Sequence, residues 1–216
     1  MEWKDIITPE LVATILINLA TITSALIAGF KLFFKKWKED KQNEASNVAK
    51  GLTIQAETDK RIIKKLDELK EVLGADRVQI YDFHNGVHYA NGRSAVRITC
   101  TYESCKYGVP PYQNNLVGLP ISCLPNFISK LLDDGEFICK DLESIKTGYP
   151  ATYVFKKNMG IKAFHDIVFR NECGEIVGFI AIQFTESDYR MDELILHKFV
   201  GSIEADLIAM MTDINK

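Results

Sequence analysis

Three regimes of hydrophobic patterning divide the chain. From Leu11 to Phe30 no residue is charged (LVATILINLATITSALIAGF), and a helix of that length rises about 30 Å, the depth of a bilayer's hydrocarbon layer. Between Glu39 and Leu73 no proline occurs, and Ala45, Val48, Leu52, Ile62, Leu66, Leu69 and Leu73 recur at spacings of three and four, which predicts a helix with one apolar stripe. Beyond Gly74, short runs of strand formers alternate with turn residues.

The first regime predicts a transmembrane helix over 11–34. Lys31, Lys35, Lys36, Lys38 and Lys41 follow the run, with Phe33, Phe34 and Trp37 interleaved as at a membrane interface. A secretory signal is the competing reading, but the n-region MEWKDIITPE is net acidic and no A-x-A site follows. Under the positive-inside rule the lysines stay cytoplasmic and residues 1–10 form a short extracytoplasmic N-terminus. The expected location is the inner membrane, single-pass, with the C-terminal domain in the cytoplasm.

Residues 35–60 read as a charged helical stalk, and the apolar stripe suits either a coiled-coil seam or a helix packed on its own domain. Gln55 and Asp59 fall on seam positions, and Gly51 lies within it. Residues 61–216 are long enough to bury a core of their own. There RVQIYDFHN predicts a strand, the Asn85-Gly86 and Asn91-Gly92 pairs a polar turn, and Ala95 to Ser104 a return strand with Ile98, Cys100 and Tyr102 facing inward. A short helix NFISKLLDDG leads into the strand EFICKDL, KAFHDIVFR and EIVGFIAIQF form a hairpin across NECG, and MDELILHKFVGSIEADLIAMM closes the chain as a helix.

The runs ISKLLDDGEFICKDL, MGIKAFHDIVFRNECGEIVGFIAIQF and DELILHKFVGSIEADLIAMM together resemble the GAF domain pattern over residues 60 to 212. Gly135-Glu136, Asp141, Gly160-Ile161 and Gly174-Glu175 through Gly178 match its turns. The resemblance implies an α+β fold, an antiparallel sheet flanked by helices on one side and loops on the other. It also implies a sensor module that dimerises through its terminal helices and holds a small molecule between sheet and loops; cyclic nucleotides, tetrapyrroles and haem are among the family's ligands. The Asn-Lys-x-Phe-Asp-Glu type of motif of the cyclic-nucleotide subgroup is absent, so the cofactor is left unknown. No effector domain follows the GAF-like region, so the signal is expected to leave through association, with a homodimer as the expected state.

The candidate ligand-binding residues are Asp82, His84, Asn85 and Arg93 from the polar stretch between the first two strands, with Cys100, Tyr102 and His165 leaning inward from strands. The same stretch also reads as two turns whose histidines are solvated. A zinc or iron site from His84, His165 and Cys100 is chemically conceivable but lacks diagnostic spacing. Net charge is −3 with both signs scattered, so nucleic acid is not an expected partner. The five cysteines, without a CxxC pair, suit reduced thiols. Some GAF-fold proteins are free methionine sulfoxide reductases, which makes Cys105, Cys123 and Cys139 an enzymatic possibility, although no catalytic motif appears and the chain reads as a non-enzyme. An interaction scaffold at the membrane and a small holin-like phage protein also fit the anchor and the charge pattern that follows it.

Overall fold

The computed structural model describes residues 9–88, 92, 94–186 and 193–214; most side chains of 10–28 and those beyond 205 lie outside the description. The chain divides into two units, residues 1–54 and 55–216.

Helix α1 spans Pro9–Leu73, so the separate anchor and stalk helices expected from the sequence share one helical backbone. Among the described residues no helix is long and apolar enough to cross a membrane. The run 11–30 that carries the spanning expectation is helical, and most of its side chains lie outside the described residues. In the first unit Phe30, Phe33, Phe34, Trp37, Val48, Leu52 and Ile54 are exposed.

The second unit is built on a six-stranded antiparallel sheet. Its strands are β1 (Arg77–His88), β2 (Ser94–Cys105), β3 (Leu119–Pro120), β4 (Glu136–Cys139), β5 (Ala163–Arg170) and β6 (Ile176–Phe184), in the spatial order β3-β2-β1-β6-β5-β4. The hairpin predicted across NECG is present: Asn171 Oδ1 accepts the amides of Cys173 and Glu175 and shapes the turn between β5 and β6.

One face of the sheet is covered by the C-terminal part of α1 and by α4 (Glu193–Ile214). Ile62, Leu66, Leu69 and Leu73 of α1 and Leu196, Val200 and Ile203 of α4 pack with Val78, Ile80, Ala163, Ile167, Ile180 and Ile182. Each such aliphatic side chain removed from water contributes about 1.5–3 kcal/mol. The second half of the apolar stripe is therefore buried on its own domain. Its polar interruptions are accommodated as well, since Asp59 Oδ1 accepts the Tyr102 hydroxyl at 2.5 Å. Lys70 donates to Asp67 and to Ser104 of β2.

The opposite face carries α2 (Pro125–Asp134), α3 (Pro150–Asn158) and the intervening loops over Tyr81, Ile98, Cys100, Phe164, Val168 and Phe179. Helix α2 ends as the sequence predicts, on Gly135 in the left-handed region at φ +81°. Helix α3 departs from the expectation of loops alone on this side: Pro150 occupies its first turn, where a missing N–H costs nothing.

Two further departures lie in β1 and β2. Asn85-Gly86 makes no turn; β1 continues through it to His88, with a register shift between Asn85 and His88. A Cβ on Gly86 would lie 2.4 Å from the Ala95 carbonyl oxygen and 2.6 Å from Arg97 Nε, so glycine is required there by close approach. In β2, Ile80 pairs with Tyr102 but Tyr81 pairs with Cys100, leaving Thr101 as a bulge.

Candidate functional site

That bulge separates residues expected to line one cavity. An extra residue shifts the side-chain alternation, so Cys100 faces the α2/α3 layer while Tyr102 faces α1. His165 shares its face with Ile167, on the α1/α4 side, where it is fully buried and its Nε2 lies 2.7 Å from Glu136 Oε2. His84 is exposed, 2.8 Å from Thr99 Oγ1, which also accepts the Gly118 amide. A metal site shared by His84, His165 and Cys100 is thus ruled out by placement. Among the described residues no cluster of three or more His, Cys, Asp or Glu side chains could hold a metal ion.

Among the other candidates, Asp82 lies within electrostatic reach of His84 and Tyr102. Asp82 is half-buried opposite Thr99 and Gly178, and burial raises its carboxyl above the ordinary range. Asn85 is exposed opposite Val96. Arg93 lies outside the described residues. Cys100 donates weakly to the Tyr102 carbonyl oxygen at 3.4 Å, and burial pushes its thiol well up. Burial likewise raises Cys105 and Cys139, opposite to the shift a nucleophilic or redox-active thiol needs.

What the fold does bring together, in the layer between the sheet and α2/α3, is a set of residues that alternation along the strands does not single out. Arg77 is fully buried; it donates to Gln183 Oε1 at 3.0 Å and to the Pro110 carbonyl oxygen at 2.8 Å, and its Nε lies 3.4 Å from Glu103 Oε1. Glu103 also accepts from Gln79 and from the amides of Tyr112 and Gln113. Gln79 Oε1 in turn accepts from Tyr81 and Gln183. The Tyr112 ring closes the network, 4.9 Å beneath the Arg77 guanidinium.

Deeper in the same layer, Lys156 of α3 donates to Asp166 of β5 at 2.6 Å, with both side chains buried. Around these groups the space is taken by rings. Tyr81 stacks on Phe179 at 4.6 Å, Phe127 meets both Phe179 and Phe137, and Phe137 meets Phe164.

Sequence alternation hides this network because Arg77, Gln79 and Glu103 count as solvent-facing when one sheet face is taken as wet. The available signal is complementary charge: Arg77 and Glu103 lie near the paired ends of two adjacent antiparallel strands. At the margin of this layer open grooves remain. One of about 590 Å³ lies between the start of β2 and α2, lined by Ser94, Val96, Ile121, Pro125, Ile128 and Leu132.

A six-stranded antiparallel sheet between a pair of terminal helices and a layer of short helices and loops is the GAF fold, as the sequence pattern implied. The chain is accordingly similar in structure to solved GAF domains of cyanobacterial origin. The blue-light-absorbing form of the PixJ GAF domain from Thermosynechococcus elongatus matches with a TM-score of 0.55 at 13% identity, covering 72% of this chain and 86% of that one. The phycoerythrobilin-bound GAF domain from a cyanobacterial phytochrome matches at 0.53 and 19% identity, covering 73% and 88%. The photoproduct state of GAF3 from Slr1393 of Synechocystis sp. PCC6803 matches at 0.51 and 14%, covering 73% and 98%. No protein-family model matches the chain, and no curated protein sequence does so.

Proposed function

We propose that this chain is a membrane-tethered regulatory module of GAF fold that works by association with other chains, with no catalytic step of its own. The observation that carries this reading is how much of the layer between the sheet and α2/α3 is taken by side chains, leaving only open grooves at its margin. Rings of Tyr81, Phe127, Phe137, Phe164 and Phe179, together with the Arg77–Glu103–Gln79–Gln183 network, occupy the centre of the layer where the family resemblance would put a small molecule. By contrast Val48 and Leu52 of α1, one turn apart on the same stripe, are exposed and suit a second helix.

The tether is inferred from the uncharged run Leu11–Phe30 and the lysines that follow it. Orientation by the positive-inside rule puts the GAF-fold unit in the cytoplasm, at the inner membrane. The input on this reading is a protein partner or a change in chain–chain association.

Native mass spectrometry of the full chain released from detergent tests it. Dimers or higher species with no co-purifying molecule are expected, and a monomer at all concentrations would overturn the reading. A second reading is favoured by the groove beside α2: a small apolar ligand bound there would also regulate association. A saturable thermal shift with haem or a bilin, abolished by Ile128→Trp, would establish that second reading.

A further inference from the structure

The reading of a membrane tether leaves open what the segment just beyond the apolar run does. Taken as a helix at 100° per residue, Lys31, Lys35 and Lys38 fall within an arc of about 60°, while Phe30, Phe33, Phe34 and Trp37 fill the adjoining arc of about 100°. The described side chains bear out this separation. The rings form one cluster, with centroids 4.7 Å apart for Phe30 and Phe34 and 6.1 Å apart for both Phe33–Phe34 and Phe34–Trp37. Lys35 pairs with Glu39 at 4.0 Å and Lys41 with Glu44 at 2.9 Å, whereas among the described residues no carboxylate lies within pairing range of Lys31, Lys36 or Lys38.

An aromatic stripe beside a cationic stripe, both exposed and both continuous with an uncharged helix, matches one kind of surface. Rings favour the depth of lipid headgroups and glycerol, and ammonium groups favour the phosphates just outside. Zwitterionic headgroups offer no net charge to the lysines, whereas anionic ones do. Nucleic acid or an acidic protein would satisfy the lysines but leave the ring cluster in water. The basic character is also local: Glu39, Asp40 and Glu44 end it within about three turns.

We infer that the 30–41 segment of α1 is a headgroup-binding collar that gathers anionic phospholipid, Lys31, Lys35 and Lys38 contacting phosphate while Phe30, Phe34 and Trp37 seat at the interface. The inference rests on the membrane-tether reading and adds to it a lipid class. Each lysine near an anionic surface is worth about fivefold in partitioning, so a three-lysine stripe suffices to enrich such lipid around the helix.

The test uses the full chain carrying Trp3→Phe, which leaves Trp37 as the single tryptophan. It is reconstituted into vesicles of about three parts phosphatidylcholine to one of phosphatidylglycerol, with bromine on the acyl chains of one lipid or the other. Brominated phosphatidylglycerol is expected to quench Trp37 at least about twofold more than its mole fraction predicts. That excess should fall as salt rises and disappear in K31Q/K35Q/K38Q, whose helicity by circular dichroism should be unchanged because all three side chains are exposed. Quenching by both lipids in proportion to mole fraction at low salt overturns the collar while leaving the tether standing. Quenching by neither overturns the collar and the tether together.

Discussion

Lys156 of α3 and Asp166 of β5 form an ion pair at 2.6 Å with 3% and 0% of their side chains exposed, and the second Asp166 oxygen has no hydrogen-bond partner among the described residues. The pair ties α3 to the sheet among the rings of that layer, and Lys156 Nζ stands 4.3 Å from the centroid of Phe164. Such a pair gives location more than net stability, because both ions lose hydration.

Breaking it from one side should therefore be costly. Lys156→Met strands a buried carboxylate and is expected to destabilise the domain by about 3–5 kcal/mol at neutral pH, read from the urea midpoint. Burial raises the Asp166 carboxyl above the ordinary carboxylate range even with its partner present, and without it the rise is larger. A group whose folded pKa exceeds its unfolded one takes up a proton on folding, so stability grows as pH falls toward and through that window. The K156M variant should recover part of its deficit between about pH 7 and about pH 5. A deficit that widens on acidification would contradict this account.

Asp76 carries the opposite sign. It sits at the turn from α1 into β1, where its Oδ2 accepts the hydroxyl and amide of Thr185, at 2.7 and 2.8 Å, and its Oδ1 faces Lys106. Burial pushes its carboxyl up, but the Thr185 hydrogen bonds and Lys106 outweigh burial and hold it below the usual value. Stability from a depressed carboxylate is present above its unfolded pKa and lost as pH falls through the folded one. Asp76→Asn should cost about 1.5–3 kcal/mol at neutral pH, and wild type and variant should converge toward about pH 3. Parallel pH–stability curves would remove the ionised group from the explanation.

Gly178 is a matter of space. A Cβ there would stand 2.2 Å from the Tyr81 carbonyl oxygen and 2.5 Å from the ring of Phe169, which is itself buried. Gly178→Ala is expected to cost at least about 1–3 kcal/mol, because the backbone oxygen cannot yield. In the double variant with Phe169→Leu only the ring conflict is relieved, so the loss should persist relative to Phe169→Leu alone, as a thermal-unfolding cycle would reveal.

These residues also mark what is legible in the chain. Gly135, Gly174 and Gly178 stand in the GAF pattern as turn or strand glycines, and the β5–β6 hairpin lies across NECG where the sequence predicts it. Local chemistry specifies such features, so sequence reports them. The candidate residues are divided between the two faces of the sheet for a reason outside local chemistry. Cys100 and Tyr102 have the same parity, and only the pairing of β2 with β1 places a bulge at Thr101 between them. Lys156 and Asp166, ten residues apart, meet only because α3 folds back over β5, and α3 lies between the predicted strands EFICKDL and KAFHDIVFR, where no helix is predicted. Arg77 and Glu103 are not solvent-facing, because a helix and its loops cover the second face of the sheet.

The apolar stripe of α1 yields the sharpest division of roles. Leu66 is fully buried against the sheet, whereas Leu52, fourteen residues earlier in the same helix, is 63% exposed. One stripe with one spacing thus serves an intramolecular core at one end and presents an open surface at the other. Leu66→Ala should create a cavity and cost about 2–5 kcal/mol of unfolding free energy. Leu52→Ala should move the unfolding midpoint by less than about 0.5 kcal/mol, because no packed neighbour is lost. If α1 associates through Val48 and Leu52, the two positions should exchange rank in a second measurement. Leu52→Asp should lower the dimer fraction of the full chain in detergent by light scattering, and Leu66→Ala should leave it unchanged wherever the domain remains folded. A Leu52→Asp chain that dimerises like wild type would move the association surface away from this stripe.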